Sequence, residues 1–185
     1  MAEVMRILRQ DHSNMARLLD LLDRQLEAFD AGKPVDYEIV EGVVDYYHSY
    51  PDLCHHPLED LVLGRLRRRD GTAARDFDKL EGDHAELASL TDKFAALVHQ
   101  VVSEAQVPRN WFGRVAHEFV ETNRRHMAME DKYFFPVAEK VLTDEDWDEL
   151  DARVADMEDP LFSKNLAKRF ENLRTEILSL ERSEP

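Results

Sequence analysis

One cysteine in 185 residues cannot close an internal disulfide, so nothing in the chain asks for an oxidising compartment. Glycine and proline are scarce, at 6 and 7 residues, which excludes a low-complexity tract or a long flexible linker. No apolar run approaches the roughly 18 residues that span a bilayer, and the N-terminus lacks a signal-peptide pattern. These absences predict a cytoplasmic protein. Positive charge is also in deficit: 24 Lys and Arg face 39 Asp and Glu, a net −15. That balance argues against nucleic acid and anionic membrane surfaces as partners. What remains is a chain with 43% hydrophobic residues, enough for a real core in one domain of ordinary size.

Within it, two short stretches answer each other: His55-His56-Pro57-Leu58-Glu59 and His126-Met127-Ala128-Met129-Glu130. Each sets a histidine and a glutamate four residues apart, so on a helix both side chains leave one face a turn apart. Imidazole nitrogen with carboxylate oxygen suits iron, manganese or zinc rather than calcium. Spacing alone is weak evidence, because His117 and Glu121 have it too. Phase separates them. At 100° per residue, Phe112, Val115, Phe119, Tyr133, Val137 and Glu130 all fall within about 40° of His126, whereas His117 lies about 180° away. One pair therefore sits in the apolar stripe and the other faces water.

In chain order, Glu3 to Phe29 reads as a first helix, with Met5, Leu8, Met15, Leu19, Leu22 and Leu26 in phase and His12 along the stripe's edge. Asp30-Ala31-Gly32-Lys33-Pro34 marks a turn. Residues 36 to about 70 form a second helix carrying His55, and Pro51 and Pro57 predict a kink or broken turn beside it. Asp70-Gly71-Thr72 ends it and caps a third helix that runs to about Ala105 with His84 on its apolar face. A fourth, from about Asn110 to Leu142, bears His126 and Glu130. Thr143 with Asp146 signals a short acidic helix, and Asp159-Pro160 opens a last amphipathic one with Leu166, Phe170, Leu173, Ile177 and Leu180 in phase.

Four long helices with short connections predict an all-α fold, an up-down-up-down antiparallel four-helix bundle over residues 1–142. Residues 143–185 add C-terminal helices, whose stripe needs cover from the bundle or from a second chain in a homodimer. Counted from the turns, His12, His55, Glu59, His84, His126 and Glu130 reach one level of that bundle to within a turn or so. His56, about 100° from His55, is expected behind the ligands or facing solvent. His48 is expected to line the cavity or bond a free carbonyl, His99 and His117 to sit on the surface, and Cys54 to be an inert thiol.

The motifs Gln10-Asp11-His12, His55 with Glu59, Asp83-His84, and His126 with Glu130 before Phe134-Phe135-Pro136 resemble the hemerythrin-like, or HHE cation-binding, domain over about residues 3 to 142. The resemblance implies two non-haem iron ions inside the bundle. It implies His12, His55, Glu59, His84, His126 and Glu130 as metal ligands, with Glu59 and Glu130 bridging. The oxygen carriers of the family have a pair of histidines on the third helix. Leu80, or Ala88 if His84 matches the earlier member of that pair, stands where the carriers have the further histidine, which implies that at least one iron is more open. The function so implied is binding of, or reaction with, dioxygen, peroxide or nitric oxide, including peroxide- or dioxygen-reducing activity. The other reading is a metal-stabilised sensor module that acts through a protein partner.

Overall fold

The computed structural model describes residues 2–154, 159–162, 164 and 167–181. Every regular element among them is helical. Helix α1 spans Glu3–Asp30. It ends at Gly32, whose positive φ of 68° suits a residue without Cβ and lets Lys33 N–H reach back to the Ala28 carbonyl. The Asp36 carboxylate then accepts from the amides of Glu38 and Ile39 and starts α2, Tyr37–Ser49.

The second long helix is broken where its prolines fall. A π-helical segment, Pro51–His55, joins α2 to α3, His56–Arg69. Its amides reach five residues back, His55 N–H to the Tyr50 carbonyl and His56 N–H to that of Pro51. Pro57 has no N–H, and its ring would crowd the carbonyl four residues earlier in a straight α-helix, so a wider turn relieves that clash.

The fourth long helix repeats the device, contrary to the uninterrupted helix expected from Asn110 to Leu142. Helix α5, Arg109–Met129, passes through a π segment, Glu130–Phe134, into α6, Phe135–Val141, with Pro136 placed relative to it as Pro57 is to the first. The extra residue in the turn shifts phase. Phe134 is fully buried in the place expected for Tyr133, and Tyr133 is 52% exposed.

The third long helix, α4, begins at Leu80 and ends at Val102. It starts later than expected because Asp70 caps the amides of Thr72 and Ala73, and a 3₁₀ turn, Ala73–Phe77, intervenes. Around the bundle α1 packs on α2 and α5, and α4 packs on both α2 and α5. This is the antiparallel four-helix arrangement.

The core is two apolar layers with a polar belt between them. One holds Leu22, Val40, Tyr47, Phe94 and Phe119; the other holds Leu8, Val62, Leu66, Leu80 and Phe134. Between them on the four helices lie Asp11 and His12, His55 to Glu59, His84, and His126 to Glu130.

The C-terminal helices close the outside. Trp147, Leu150 and Val154 of α7, Asp144–Val154, join the second layer. Phe170, Leu173 and Ile177 join the first, the last two from α8, Glu171–Glu181. Helix α8 packs on α1 and α2 of its own chain, so this part of the stripe is covered without a second copy. Leu166 and the Leu180 side chain lie outside the described residues. Helix α8 starts later than Asp159-Pro160 implied. Asp159 instead caps a turn through the amides of Leu161 and Phe162 and accepts from the Tyr46 hydroxyl at 2.7 Å.

Candidate metal centre

The belt brings all six expected residues together. Glu59 and Glu130 are fully buried, and His12, His55, His84 and His126 are each 8% exposed or less. Glu59 Oε1 lies 3.3 Å from His55 Nε2 and 3.5 Å from His12 Nε2, while its Oε2 lies 3.4 Å from His84 Nε2. Glu130 runs the other way: Oε1 is 3.3 Å from His84 Nε2 and 3.0 Å from His126 Nε2, and Oε2 is 3.4 Å from His12 Nε2. Each carboxylate thus faces histidines on two sides.

A seventh residue belongs with them. His56, expected behind the ligands or in solvent, is 5% exposed, and its ring stacks on His84 with centroids 4.5 Å apart. It groups with Glu59, His84 and His126, whose donor atoms lie within 4.8 Å of one another, while His12, His55 and Glu59 form a second such group. The wide π turn before His56 reduces the angle between successive residues, which lets adjacent histidines point into one interior. Leu80 is buried in the second apolar layer. His56 on the second long helix is thus placed to offer a further nitrogen, while the Leu80 side chain packs in the apolar layer rather than in the belt.

Ring nitrogens facing away from the glutamates meet aspartates. Nδ1 of His84 lies 2.8 Å from Asp60, that of His55 3.0 Å from Asp11, that of His12 3.1 Å from Asp131, and that of His56 3.4 Å from Asp52. The Asp60 and Asp11 hydrogen bonds fix the His84 and His55 rings and leave Nε2 free for a cation, whereas His12 Nδ1 and both Asp52 oxygens make no hydrogen bond. Asp83, next to His84 in sequence, is half-buried and makes none of these contacts. The remaining histidines lie outside: His48 is exposed beside Asp92, His117 beside Asp30, and His99 is exposed. Glu81 pairs with Arg67, and Cys54 is half-buried with its thiol pushed up by burial and by Asp11.

Without a cation, His12, His55 and His84 are held protonated beside ionised glutamates. Burial opposes protonation of His12, but Asp131, Glu130 and Glu59 override it and push it up to about 11. The same contest raises His84 to about 10 and His55 to about 9. Burial and repulsion from Glu130 would raise Glu59, yet His55 and His12 hold it down at about 2. Burial keeps His56 below the usual histidine range, so its ring stays neutral and able to ligate.

Even so, His12 Nε2, His55 Nε2, His126 Nε2, both Glu59 oxygens and Glu130 Oε2 are buried without a hydrogen-bond partner. Buried polar atoms are seldom left so, and a cation held among them satisfies all of them at once. A family comparison agrees: the model of the hemerythrin HHE cation-binding domain matches residues 4–138. The chain belongs to this family. No curated protein and no solved structure matches it. The hemerythrin match covers the whole polar belt and stops within α6, before α7 begins. No helix among the described residues is long and apolar enough to cross a membrane.

Proposed function

We propose that this hemerythrin-family chain holds two irons in the belt and that the pair binds and reacts with a small ligand of the dioxygen, peroxide or nitric oxide class. One observation carries the reading. Glu59 and Glu130 each turn one oxygen toward His12 and the other toward His84, which is the disposition of carboxylates that bridge two cations. One cation would be held by His12 and His55, the other by His56, His84 and His126, with both glutamates shared. Imidazole and carboxylate together favour iron over calcium, and the four aspartates behind the rings supply negative charge for a highly charged pair.

Bound irons would supply electrons and an open coordination position. The chain's own residues do the rest. The two apolar layers keep bulk water from the belt, so charges within it act in a low dielectric. Asp60 and Asp11 hold the His84 and His55 rings in place, and Glu59 and Glu130 would hold the two cations between them. The side with two histidines offers fewer protein donors than the side with three, so an exogenous ligand belongs beside His12 and His55.

The optical spectrum of the purified chain, as isolated and after dithionite followed by air, tests this. Near-ultraviolet charge-transfer bands that bleach and return support an iron pair with redox chemistry. A featureless spectrum from a metal-loaded chain would leave only a structural cation.

A further inference from the structure

The belt is sealed by apolar layers above and below, yet one cleft reaches it from the side. It lies between α1 and α5, has a volume of about 390 Å³, and includes Ser13, Ala16, Ala128 and Asp131 with His12 in its wall. That is ample for a diatomic molecule, given that a water's share of liquid volume is about 30 Å³. The His12 ring separates the cleft from the glutamates. Its Nδ1 faces Asp131 on the cleft side, its Nε2 faces Glu59 and Glu130, and Phe135 stacks on its face at 5.0 Å.

The charges in and beside this cleft follow a pattern. Arg124 pairs with Asp20 at 2.7 Å and with Asp23 at 2.6 Å. Arg9 pairs with Glu139 at 3.0 Å and lies 3.9 Å from Asp131. Arg9 and Arg124, the two arginines in the cleft lining, are thus each matched by two carboxylates, on a chain that already carries −15. An anion approaching this mouth meets net negative charge; an uncharged molecule meets no such barrier.

We propose that the α1–α5 cleft is the entry to the metal centre, that it delivers ligands to the His12 and His55 side, and that its paired acids select uncharged small molecules over anions. The selection rests on the paired-iron reading; the cleft itself can be tested without metal. Ala16 lies one helical turn from His12 in the cleft wall, so Ala16→Phe fills the passage, and Ser13→Phe narrows it from the adjacent position. Ala96→Phe, on the exposed side of α4, is the control.

In the metal-free full chain, xenon is expected to shift the Ala16 and Ala128 methyl resonances, and Ser13→Phe to weaken the shift at Ala128. In the iron-loaded chain, nitric oxide association should fall at least tenfold in Ala16→Phe and measurably in Ser13→Phe, and be unchanged in Ala96→Phe. Replacing Asp20 and Asp23 together by asparagine frees Arg124. That should raise the association rate of azide by about tenfold at low salt, leaving nitric oxide unchanged. Iron content is measured first in every variant. Unaltered nitric oxide association in Ala16→Phe and Ser13→Phe at full iron content would place the entry elsewhere, and equal acceleration of both probes in the asparagine variant would overturn the charge selection. A wild type that never takes up two irons would defeat the paired-iron reading instead, with the xenon result still deciding whether the cleft is open.

Discussion

Asp60 and Asp11 carry the most local consequence of the site. Each holds a histidine nitrogen from behind, so Asp60→Asn should keep the fold and lower metal affinity by roughly 10- to 100-fold, read by competition titration with a chelator. Unchanged affinity would make the contact incidental. Protonation gives a second expectation. In the metal-free chain His12, His55 and His84 have raised values, so their contribution to stability is complete below their ordinary range near 6.5 and is lost as pH climbs through about 9 to about 11. Glu59 is depressed, so its contribution is present above about 4.5 and is lost as pH falls through about 2. Urea midpoints of the metal-free chain should therefore fall on the alkaline side as these histidines deprotonate and on the acid side as Glu59 protonates, with buried His56, held below its ordinary value, adding to the acid-side loss below about 6.5. Iron loading should remove the alkaline loss by displacing those protons. At this scale His126 and Glu130 were legible in the sequence, because their phase on an ordinary helix put them in the apolar stripe. His56 was not, since the 100° rule fails across a π turn. Nor were Asp60 and Asp131 as partners of His84 and His12, because those contacts join different helices and no local pattern encodes them.

The two proline-relieved turns are what distinguish these helices from rods. Pro51 and Pro57 announced the first, and Pro136 holds the same place after the second, where it was read only as part of a family motif. Tyr133 and Phe134 exchange faces as a result. A histidine at Leu80 is the element-scale test of whether the open position lies there. That site is apolar, so Leu80→His should destabilise the fold by about 1–3 kcal/mol for an unpartnered buried polar ring and add no metal ligand. Spectra of the variant showing a new iron–histidine signal would place the open position at Leu80. Helix α7 depends on a different device. Asp146 is buried, accepts from the Thr143 amide and hydroxyl, and pairs with Arg69 at 2.8 Å, which lowers it to about 2. Asp146→Ala should cost about 2 kcal/mol in chemical denaturation. Because its value is depressed, the wild type's advantage over the variant should persist above pH 4 and vanish as pH falls through about 2.

For the whole molecule, four stripes and short turns made the bundle readable in advance, and equal counts from each turn put six donors at one height. The belt between two apolar layers follows from that count, since each helix crosses the level once. The cover of the C-terminal stripe was not readable, because a single amphipathic face does not say whether its own bundle or another chain meets it. In the structure Phe170, Leu173 and Ile177 answer this with α1 and α2. The central proposal is that the belt holds a pair of irons in which the outward histidines take no part. The most direct measurement is metal content per chain for the wild type, His126→Ala and His117→Ala, each confirmed folded by circular dichroism. The account predicts about two irons in the wild type and in His117→Ala, and the loss of at least one in His126→Ala. One iron in the wild type, or equal losses in the two variants, would contradict it.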